Sequence, residues 1–285
     1  MLPLIINHYA ENLIEKDGIF FSKNTNAIFY PTDGNETCFN LEDNSFWFKH
    51  RNNCIISLVK KYAKNHVFFD IGGGNGFVSK GLEENDIQTC LIEPGLQGCL
   101  NAKKRGLTNI VCSDLENAGF KRDSIFSAGL FDVIEHIEND IDFLCKINDY
   151  LQINGTVIIT VPAYRFLWSK EDVDAGHFRR YTLRNLKNRL NKSGFKTVYS
   201  TYIFSFLIFP VLLFRTLPSM FGIAKGGIEK SQKEHNVNNK NGFVNKILTK
   251  LLLFETKRIE KVRKIPFGGS CLVVAKKILY DDTFQ

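Results

Sequence analysis

The fold is decided by the stretch Val67-Phe-Phe-Asp-Ile-Gly-Gly-Gly-Asn-Gly76. Its first half is a short apolar run typical of a buried strand, and its second half is a glycine-rich turn. Glycines let the backbone approach a ligand closely, and a helix predicted over 77–83 would offer free N–H groups at its start. Asp70, at the end of the strand, would repel a pyrophosphate but attract an ammonium group.

The order of strand and then helix continues along the chain. We predict strands over 89–92, 110–112, 125–130, 156–161, 195–202 and 270–275, and helices over 43–63, 140–151, 183–193 and 243–262. Such alternation predicts a parallel sheet with helices on both faces, and ligands of such sheets bind outside the carboxyl ends of the strands. The residues that follow each strand are therefore the candidates for a site.

These patterns predict an α/β protein with a Rossmann-like doubly wound sheet. We expect seven strands, mostly parallel with an antiparallel last strand, plus a helical insertion. The predicted organisation is a lead segment over 1–42, a core over 43–202, an apolar and basic helical insertion over 203–264, and a closing strand and tail over 265–285. The first 40 residues lack a regular pattern, with turn chemistry at 31–34, and the polar stretch 222–242 is the best candidate for a loop or hinge.

The composition fits a globular protein. The chain has 285 residues, of which 44% are hydrophobic and 24% charged, and this balance argues against disorder, collagen or a small disulfide scaffold. Its seven cysteines are scattered without a C-x-x-C pair, so neither a disulfide framework nor a structural zinc cage is indicated. We expect a reducing, cytoplasmic environment.

The charge is divided unevenly along the chain. Residues 1–176 carry 16 Lys and Arg against 24 Asp and Glu, a net charge of −8, whereas residues 177–285 carry 21 against 6, a net charge of +15. An acidic first part suits a cationic ligand, and a basic last part suits an anionic surface or substrate. The alternative is that both faces are simply solvated.

No secretory signal or spanning segment is expected. Residues 1–10 are apolar but lack a basic lead-in and a small-residue cleavage site. The longest apolar run, residues 203–214, is interrupted by Ser205 and Pro210, and a spanning helix needs about 20 apolar residues.

Two further acids follow the next two predicted strands. Glu93 could accept both hydroxyls of a ribose, and Asp114 could accept from the exocyclic amine of an adenine. Together with Asp70, these carboxylates match an adenosine with a positively charged amino-acid tail, which is S-adenosylmethionine.

At this point the sequence resembles the class I S-adenosylmethionine-dependent methyltransferases over roughly residues 46–202. The segments that carry the resemblance are 67–76, Leu91-Ile-Glu-Pro94, Cys112-Ser-Asp114, Phe131-Asp-Val-Ile-Glu-His-Ile137 and Thr160-Val-Pro162, and residues 268–276 resemble that family's antiparallel closing strand. The resemblance implies that Asp70 and the glycines surround the methionine tail, that Glu93 binds the ribose, and that Arg51 pairs with the cofactor carboxylate. The implied cofactor residues are Asp70, Gly72, Gly74, Gly76, Glu93, Asp114, Leu115 (adenine), Leu130 and Phe131 (sulfonium), and Arg51, whose alternative is an ordinary surface arginine.

Two related chemistries are disfavoured. A dinucleotide site needs Gly-x-Gly-x-x-Gly, but Phe77 stands where the third glycine belongs. Val161-Pro-Ala-Tyr164 occupies the region where DNA amino-methylating enzymes have an Asx-Pro-Pro-aromatic tetrad, and it lacks that tetrad.

Asp132, Glu135 and His136 fall at i, i+3 and i+4, so they would share one face of a helical turn beyond the fourth strand of the core. The resembling ubiquinone-biosynthesis O-methyltransferases have a similar stretch at the active site, where it can hold a divalent cation. Two mechanisms follow: His136 as a general base, or Asp132, Glu135 and His136 as a metal site that lowers the pKa of an acceptor hydroxyl. The alternative is a histidine that caps local backbone.

The segment Gly176-His-Phe-Arg-Arg-Tyr181 follows the fifth strand of the core. His177 is a second candidate proton acceptor, so the candidate catalytic residues are His136, Glu135 and His177. Arg179 and Arg180 could hold a phosphate or a carboxylate, or instead brace acids such as Asp172 and Asp174.

The predicted function is methyl transfer to a hydroxyl or similar nucleophile of a small-molecule, lipid-linked or isoprenoid acceptor. The insertion 203–264 would form a lid, or a surface that contacts anionic lipid at the inner face of the membrane, or would pack as buried core. Alternatives are a methyltransferase-fold protein that binds nucleic acid, which the absence of a reader motif disfavours, and a cofactor-binding protein without transfer activity. The sequence does not determine the oligomeric state.

Overall fold

A computed structural model describes residues 6–23, 39, 41–63, 65–220 and 242–279. The predicted turn at 31–34 and almost all of the polar stretch 222–242 lie outside the described residues. Within them, the elements alternate along the chain as the sequence predicts.

The described strands all belong to one sheet. They are β1 (Leu13–Lys16), β2 (Ile19–Ser22), β3 (Phe68–Ile71), β4 (Thr89–Ile92), β5 (Ile110–Cys112), β6 (Ile125–Phe131), β7 (Leu151–Pro162), β8 (Phe195–Ile203) and β9 (Ser270–Lys277). The α-helices are α1 (Phe46–Tyr62), α2 (Phe77–Glu83), α3 (Leu96–Lys104), α4 (Asp140–Tyr150), α5 (Lys170–Asp174), α6 (Leu183–Lys192), α7 (Ile208–Val211), α8 (Leu217–Met220) and α9 (Gly242–Glu260). Short 3-10 turns cover Ile6–His8, Ile134–His136, Arg165–Leu167 and Ser205–Leu207, and Leu212–Thr216 is π-helical.

The sheet order is β1-β2-β5-β4-β3-β6-β7-β9-β8. The pairs from β2 through β7 are parallel, and β9 runs antiparallel between β7 and β8. The α/β Rossmann-like class and the antiparallel last strand are therefore confirmed. The expected count of seven strands is wrong, because the described part of the chain has nine.

The two additional strands come from the N-terminal segment, whose interpretation as irregular is wrong for β1 and β2. They form an antiparallel hairpin, and β2 pairs in parallel with β5 through Phe20 and Val111. Only Leu13 and Ile19 of this hairpin are buried, so its sequence lacks the strong apolar run that marks the inner strands.

Side chains of the inner strands alternate between two hydrophobic layers. Phe68 belongs to the layer that contains Ile55 of α1 and Ile259 of α9, whereas the next residue, Phe69, belongs to the layer that contains Leu144 of α4. This alternation follows from the two-residue period of a strand. Both faces are covered, so the carboxyl ends of the strands are left to form the site.

The segment after β8 exposes apolar side chains. Phe209, Leu213 and Phe214 are 69%, 55% and 67% exposed, so these members of the apolar run are not core. Phe204, near the start of the run, is buried and stacks on Trp47 of α1 with ring centroids 3.7 Å apart. Among the described residues, no helix combines the length and apolarity needed to span a membrane.

Candidate functional site

The glycine turn connects β3 to α2 in a fixed conformation. Gly72, Gly74 and Gly76 all have positive φ, from 54° to 73°, which L side chains rarely adopt. The Gly72 N–H donates to the Ile92 carbonyl at 2.8 Å, so the turn continues the parallel pairing with β4. The predicted backbone approach to a ligand therefore has the required geometry.

Asp70 is the next-to-last residue of β3 and lies inside the protein. Its side chain is fully buried, and its Oδ2 accepts a hydrogen bond from the Ser79 hydroxyl of α2 at 2.8 Å. Its Oδ1 has no hydrogen-bond partner among the described residues. Burial raises the pKa of Asp70 to about 6, although Ser79 and the nearby Arg51 act to lower it. A buried carboxylate oxygen without a partner favours a cationic or hydrogen-bonding ligand, which fits the ammonium tail of S-adenosylmethionine.

Glu93 follows β4 and holds the glycine turn. Its two oxygens accept the backbone N–H groups of Gly74 at 2.9 Å and Gly95 at 2.7 Å. Burial raises the pKa of the Glu93 carboxyl, and these two amides act in the opposite direction. Each oxygen keeps a second lone-pair direction, so the carboxylate can still accept a ribose hydroxyl.

A polar network that the sequence did not reveal braces the same turn. The Asn75 side chain donates to Glu42 at 3.4 Å and accepts from Asn101 of α3 at 3.0 Å. Arg105 donates to the same Glu42 at 2.8 Å. These partners come from two separate segments, the residues before α1 and the helix α3 with its last turn, so the turn conformation is fixed before any ligand binds.

The predicted adenine residues lie on the turn that follows β5. The Asp114 carboxylate accepts the backbone N–H and the side-chain amide of Asn117, both at 2.7 Å. Leu115 is buried. The carboxylate is therefore held locally and remains partly accessible.

The predicted sulfonium residues are buried at the end of β6. Leu130 belongs to one hydrophobic layer and Phe131 to the other. The Phe131 ring covers Gly129, where an added Cβ would lie 2.3 Å from the ring. They supply an apolar wall.

Arg51 of α1 is only 9% exposed, so it is not a surface arginine. Its Nη1 donates to Oδ2 of Asp132, whose Oδ1 accepts from the Thr160 hydroxyl at 2.9 Å. The Arg51 guanidinium also lies 5.3 Å from the centre of the Phe48 ring. The buried Nε of Arg51 has no partner among the described residues and is available to a carboxylate.

Glu135 lies on the 3-10 turn after β6 and is completely buried. Neither carboxylate oxygen has a hydrogen-bond partner among the described residues. Burial and then the charge of Asp132 raise the pKa of Glu135 well above its usual range, against the influence of Arg51 and Arg180.

His136 and His177 lie against each other, with ring centroids 4.7 Å apart. Each of Glu135, His136 and His177 offers one potential ligand atom, and these three atoms lie within 4.8 Å of one another. Burial and the neighbouring His177 lower the pKa of His136, which favours the neutral form of its ring. His177 Nδ1 lies 2.8 Å from the carboxylate of Asp172. This group contains two of the three predicted metal candidates, and His177 is present in place of Asp132.

Hydrogen bonds fix the loop of His177 to the turn after β6. The Phe178 N–H donates to the Glu135 carbonyl at 2.8 Å, and the Tyr181 hydroxyl lies 3.2 Å from the Ile134 carbonyl and 2.7 Å from Asp140. The three predicted catalytic residues are thus brought together by the tertiary structure.

The two arginines of the loop brace acids, which was one of the two predicted roles. Arg180 binds both oxygens of Asp172 at 2.8 and 2.9 Å, and Arg179 lies 3.0 Å from Asp140. Asp174 pairs elsewhere, with Lys170. The pKa of Asp172 is lowered to about 2, because hydrogen bonds from the loop outweigh the opposing effect of burial.

Besides the polar network at Asn75, sequence reasoning missed two further supporting residues. Ser79 has no sequence signal that distinguishes it from other helix residues, although its hydroxyl donates a hydrogen bond to Asp70. Asp172 was considered only as a partner for arginine, whereas it also orients His177 and caps α5 through the Ser169 N–H at 2.9 Å. The Ser169-x-x-Asp172 spacing is a capping-box signal that could have located this helix start.

The fold and this rim of carboxylates define a nucleoside-binding α/β protein. Residues 47–200, more than half of the chain, match a family described as a methyltransferase domain. The chain belongs to this methyltransferase-domain family. No curated protein matches the sequence. The resemblance to class I S-adenosylmethionine-dependent methyltransferases is confirmed, and S-adenosylmethionine is supported as the cofactor.

Several solved structures share the fold. Phosphoethanolamine N-methyltransferase 2 of Haemonchus contortus, in complex with S-adenosyl-L-methionine, aligns with a TM-score of 0.54 and 17% identity, covering 91% of this chain and 62% of that one. The plantazolicin methyltransferase BamL, in complex with an analogue of desmethylplantazolicin and S-adenosylhomocysteine, aligns with a TM-score of 0.51 and 15% identity. The alignment covers 86% of this chain and 91% of that one. An S-adenosylmethionine-dependent methyltransferase of Thermotoga maritima aligns with a TM-score of 0.50 and 14% identity. The alignment covers 87% of this chain and 96% of that one. At these identities the likeness establishes the fold.

Proposed function

We propose that the protein transfers the methyl group of S-adenosylmethionine to a hydroxyl or similar nucleophile of a small-molecule, lipid-linked or isoprenoid acceptor. The observation that carries the proposal is the arrangement of Asp70 and Glu93 on two sides of the glycine turn. Asp70 keeps one buried oxygen without a described partner, and Glu93 holds the turn from the next strand. A cation is the ligand that such an acidic rim favours.

The cofactor would lie across the carboxyl ends of β3 to β6. Asp70 would receive the ammonium group, and Arg51, through its Nε, would receive the carboxylate of the same amino-acid tail. Glu93 would bind the ribose, and Asp114 with Leu115 the adenine. Leu130 and Phe131 would form the dry wall next to the sulfonium.

Methyl transfer is an in-line displacement. A lone pair of the acceptor atom attacks the methyl carbon while the carbon–sulfur bond breaks, its electrons stay on sulfur, and S-adenosylhomocysteine leaves. The positive charge is dispersed during this step, so orientation and exclusion of water contribute most. The proton of an acceptor hydroxyl passes to a base, for which His136 and His177 are the candidates.

Calorimetric titration tests the cofactor site. Wild-type protein should bind S-adenosylmethionine, and Asp70→Ala should reduce the affinity at least about tenfold, because an ionic hydrogen bond contributes about 1.5–3 kcal/mol. Glu84→Ala is a matched control, since Glu84 is an exposed acid just after α2. Undiminished affinity in Asp70→Ala would contradict the proposal.

A lipid-like acceptor is supported by the surface of α9. Ile247, Leu251 and Phe254, at i, i+4 and i+7 on one helix face, are 43%, 40% and 59% exposed. Exposed Lys250 and Lys257 flank this stripe. An apolar stripe beside cationic side chains is typical of helices that contact an anionic lipid surface, and we infer a peripheral membrane contact there.

Vesicle flotation tests this contact. The protein should float with vesicles that contain phosphatidylglycerol but not with pure phosphatidylcholine, and the double variant Leu251→Ser, Phe254→Ser should remain at the bottom. Ile14→Ser is the control, because Ile14 is 57% exposed on β1, away from α9. Equal flotation of the double variant and wild type would refute the membrane contact. An extract screen with labelled cofactor, separated into lipid and aqueous phases, then identifies the acceptor class.

A further inference from the structure

Two cysteine thiols lie together against the turn that connects β4 to α3. Cys99 is on α3 and is completely buried, and its thiol donates to the Glu93 carbonyl at 3.2 Å. The Cys112 thiol, at the end of β5, lies 4.0 Å from the carbonyl of the next turn residue, Pro94. Two consecutive carbonyls of one turn therefore each have a thiol against them.

The backbone fixes the positions of both cysteines. β5 pairs in parallel with β4 up to Val111, the residue before Cys112, and the Val111 carbonyl accepts the Glu93 N–H at 3.0 Å. The Cys99 N–H donates to the Gly95 carbonyl at 3.1 Å in the first turn of α3. Both cysteines belong to the same small hydrophobic cluster between helix and strand, where their thiols interact with each other.

The two thiols differ in reactivity. Cys112 is partly exposed, and a hydrogen bond from the Cys99 thiol lowers the pKa of Cys112, although burial and the Glu93 carboxylate act to raise it. The same hydrogen bond, together with burial, raises the pKa of Cys99. Because the thiolate is the nucleophilic form of cysteine, Cys112 is the thiol that reacts first and Cys99 the one that follows.

The surroundings of the other described cysteines are different. Burial raises the pKa of Cys54, Cys90 and Cys271, and buried thiols of raised pKa are inert to oxidants. Cys145 of α4 is exposed, so it serves as an internal comparison for access of an oxidant.

We propose that Cys99 and Cys112 are a redox modification site, at which hydrogen peroxide forms a reversible disulfide that weakens cofactor binding. The Cys112 thiolate attacks one peroxide oxygen, the O–O bond breaks and hydroxide leaves, so Cys112 becomes a sulfenic acid. The Cys99 sulfur then attacks the Cys112 sulfur, the S–O bond breaks, and the oxygen leaves as water with the Cys99 proton. The two sulfur atoms are oxidised and the peroxide is reduced.

The effect on the cofactor rests on the proposed function, in which Glu93 binds the ribose. The Glu93 carboxylate also holds the N–H groups of Gly74 and Gly95, so the turn after β4 is joined to the glycine turn. A disulfide brings the two sulfur atoms to about 2.05 Å and removes the thiol protons, so the hydrogen bond to the Glu93 carbonyl is lost and the turn shifts. The loss of one hydrogen bond between Glu93 and the cofactor would weaken binding about tenfold.

The test uses the full-length protein, oxidised with hydrogen peroxide and then freed of the oxidant by gel filtration. Peptide mass spectrometry without reduction should find Cys99 and Cys112 joined, and dithiothreitol should restore both thiols. Calorimetry should give an affinity for S-adenosylmethionine about tenfold lower in the oxidised than in the reduced protein. By thermodynamic linkage, saturating cofactor should raise the reduction potential of the pair by about 30 mV, measured in glutathione redox buffers.

Three variants assign the reaction to the pair. Cys112→Ser should abolish both the disulfide and the effect of peroxide on cofactor affinity. Cys99→Ser should stop the reaction at a sulfenic acid on Cys112, which dimedone traps. Cys145→Ser is the matched control and should respond to peroxide as the wild type does. Cys112 is only partly buried, so Cys112→Ser remains informative if Cys99→Ser does not fold.

Three results would overturn the proposal. They are a pair that stays reduced after Cys145 has been oxidised, a disulfide that leaves the cofactor affinity unchanged, and a loss of affinity on oxidation that persists in Cys112→Ser. A reduced protein that forms the disulfide but does not bind S-adenosylmethionine would contradict the proposed function and confirm the modification site alone.

Discussion

The guanidinium of Arg51 on α1 donates a hydrogen bond to the carboxylate of Asp132, the residue directly after β6. Asp132 has φ of 57°, a conformation that is uncommon for residues other than glycine. The Thr160 carbonyl accepts its backbone N–H at 3.0 Å, and the Thr160 hydroxyl donates to its side chain at 2.9 Å. The pair thus links the helix before the glycine turn to the strand end where the acceptor would lie.

A double-mutant cycle with Arg51→Met and Asp132→Asn should give a coupling free energy of about 1–3 kcal/mol, since the bond is charge-assisted and largely buried. Urea denaturation measures it. Arg51→Met should also weaken S-adenosylhomocysteine binding about tenfold without affecting methylthioadenosine, which lacks the amino-acid tail. Equal losses for both nucleosides would contradict the assignment of Arg51 to the cofactor carboxylate.

Asp70→Asn should increase stability at pH 7 while weakening cofactor binding. Burial raises the pKa of Asp70 from 3.8 to about 6, so the unfolded chain releases this proton at lower pH than the folded protein. The free energy of unfolding therefore falls as the pH rises from about 4 to 6, by about 3 kcal/mol at most. Asp70→Asn has no titrating carboxyl at this position, so its free energy of unfolding does not fall for this reason. Urea denaturation at pH 4 and pH 7 should show matching stabilities at pH 4 and a more stable variant at pH 7; a less stable variant at pH 7 would disprove this account.

Glu255 of α9 should show the opposite pH dependence. Burial acts to raise the pKa of Glu255, but hydrogen bonds from His50 and Ser205 outweigh it and hold the pKa below its usual value. The stabilisation of the fold by Glu255 is thus complete above the pKa that Glu255 has in the unfolded chain. It is lost as the pH falls through the pKa that Glu255 has in the folded protein. Glu255→Gln should destabilise by about 1–3 kcal/mol at pH 7 and by less near pH 3.

Denaturant titrations at the two pH values measure this difference. Glu260→Gln, one turn later and exposed, should have little effect at either pH. The titratable groups that face Glu255 are His50 and Cys54. A pH-independent loss in Glu255→Gln would assign the effect to packing.

Gly76→Ala should destabilise the glycine turn more than Gly106→Ala destabilises the end of α3. Both glycines have positive φ, 73° and 87°. A Cβ at Gly76 would lie 2.6 Å from the Leu107 side chain and 2.9 Å from Ala102 Cβ, whereas Gly106 has open space. Gly106→Ala therefore measures the backbone cost alone, about 1–2 kcal/mol.

The excess cost of Gly76→Ala should be at least about 1 kcal/mol, because crowding in a packed interior forces neighbouring atoms to shift. Thermal or urea denaturation measures both variants. Cofactor affinity should fall in Gly76→Ala and remain normal in Gly106→Ala. Equal stabilities in the two variants would show that the turn adjusts without strain.

Much of the core and the position of the acids at its strand ends could be predicted because the signals are local. A short apolar run that ends in Asp70 and a glycine turn identifies a buried parallel strand, and the next strands end beside Glu93 and Asp114. Elements with a weak sequence pattern were harder to predict. The hairpin of β1 and β2 buries few side chains, so its sequence carries no strong period, and α3 was missed between two short strands.

The sequence by itself determined the α/β class, the order of the inner strands and the acids at their ends, since strand and helix periods are encoded by neighbouring residues. Only the tertiary structure decided that Arg51 faces Asp132 and that His177, rather than Asp132, joins Glu135 and His136. Those contacts join residues far apart in the chain. They depend on how the loop after α5 folds back onto the turn after β6, which local patterns do not specify.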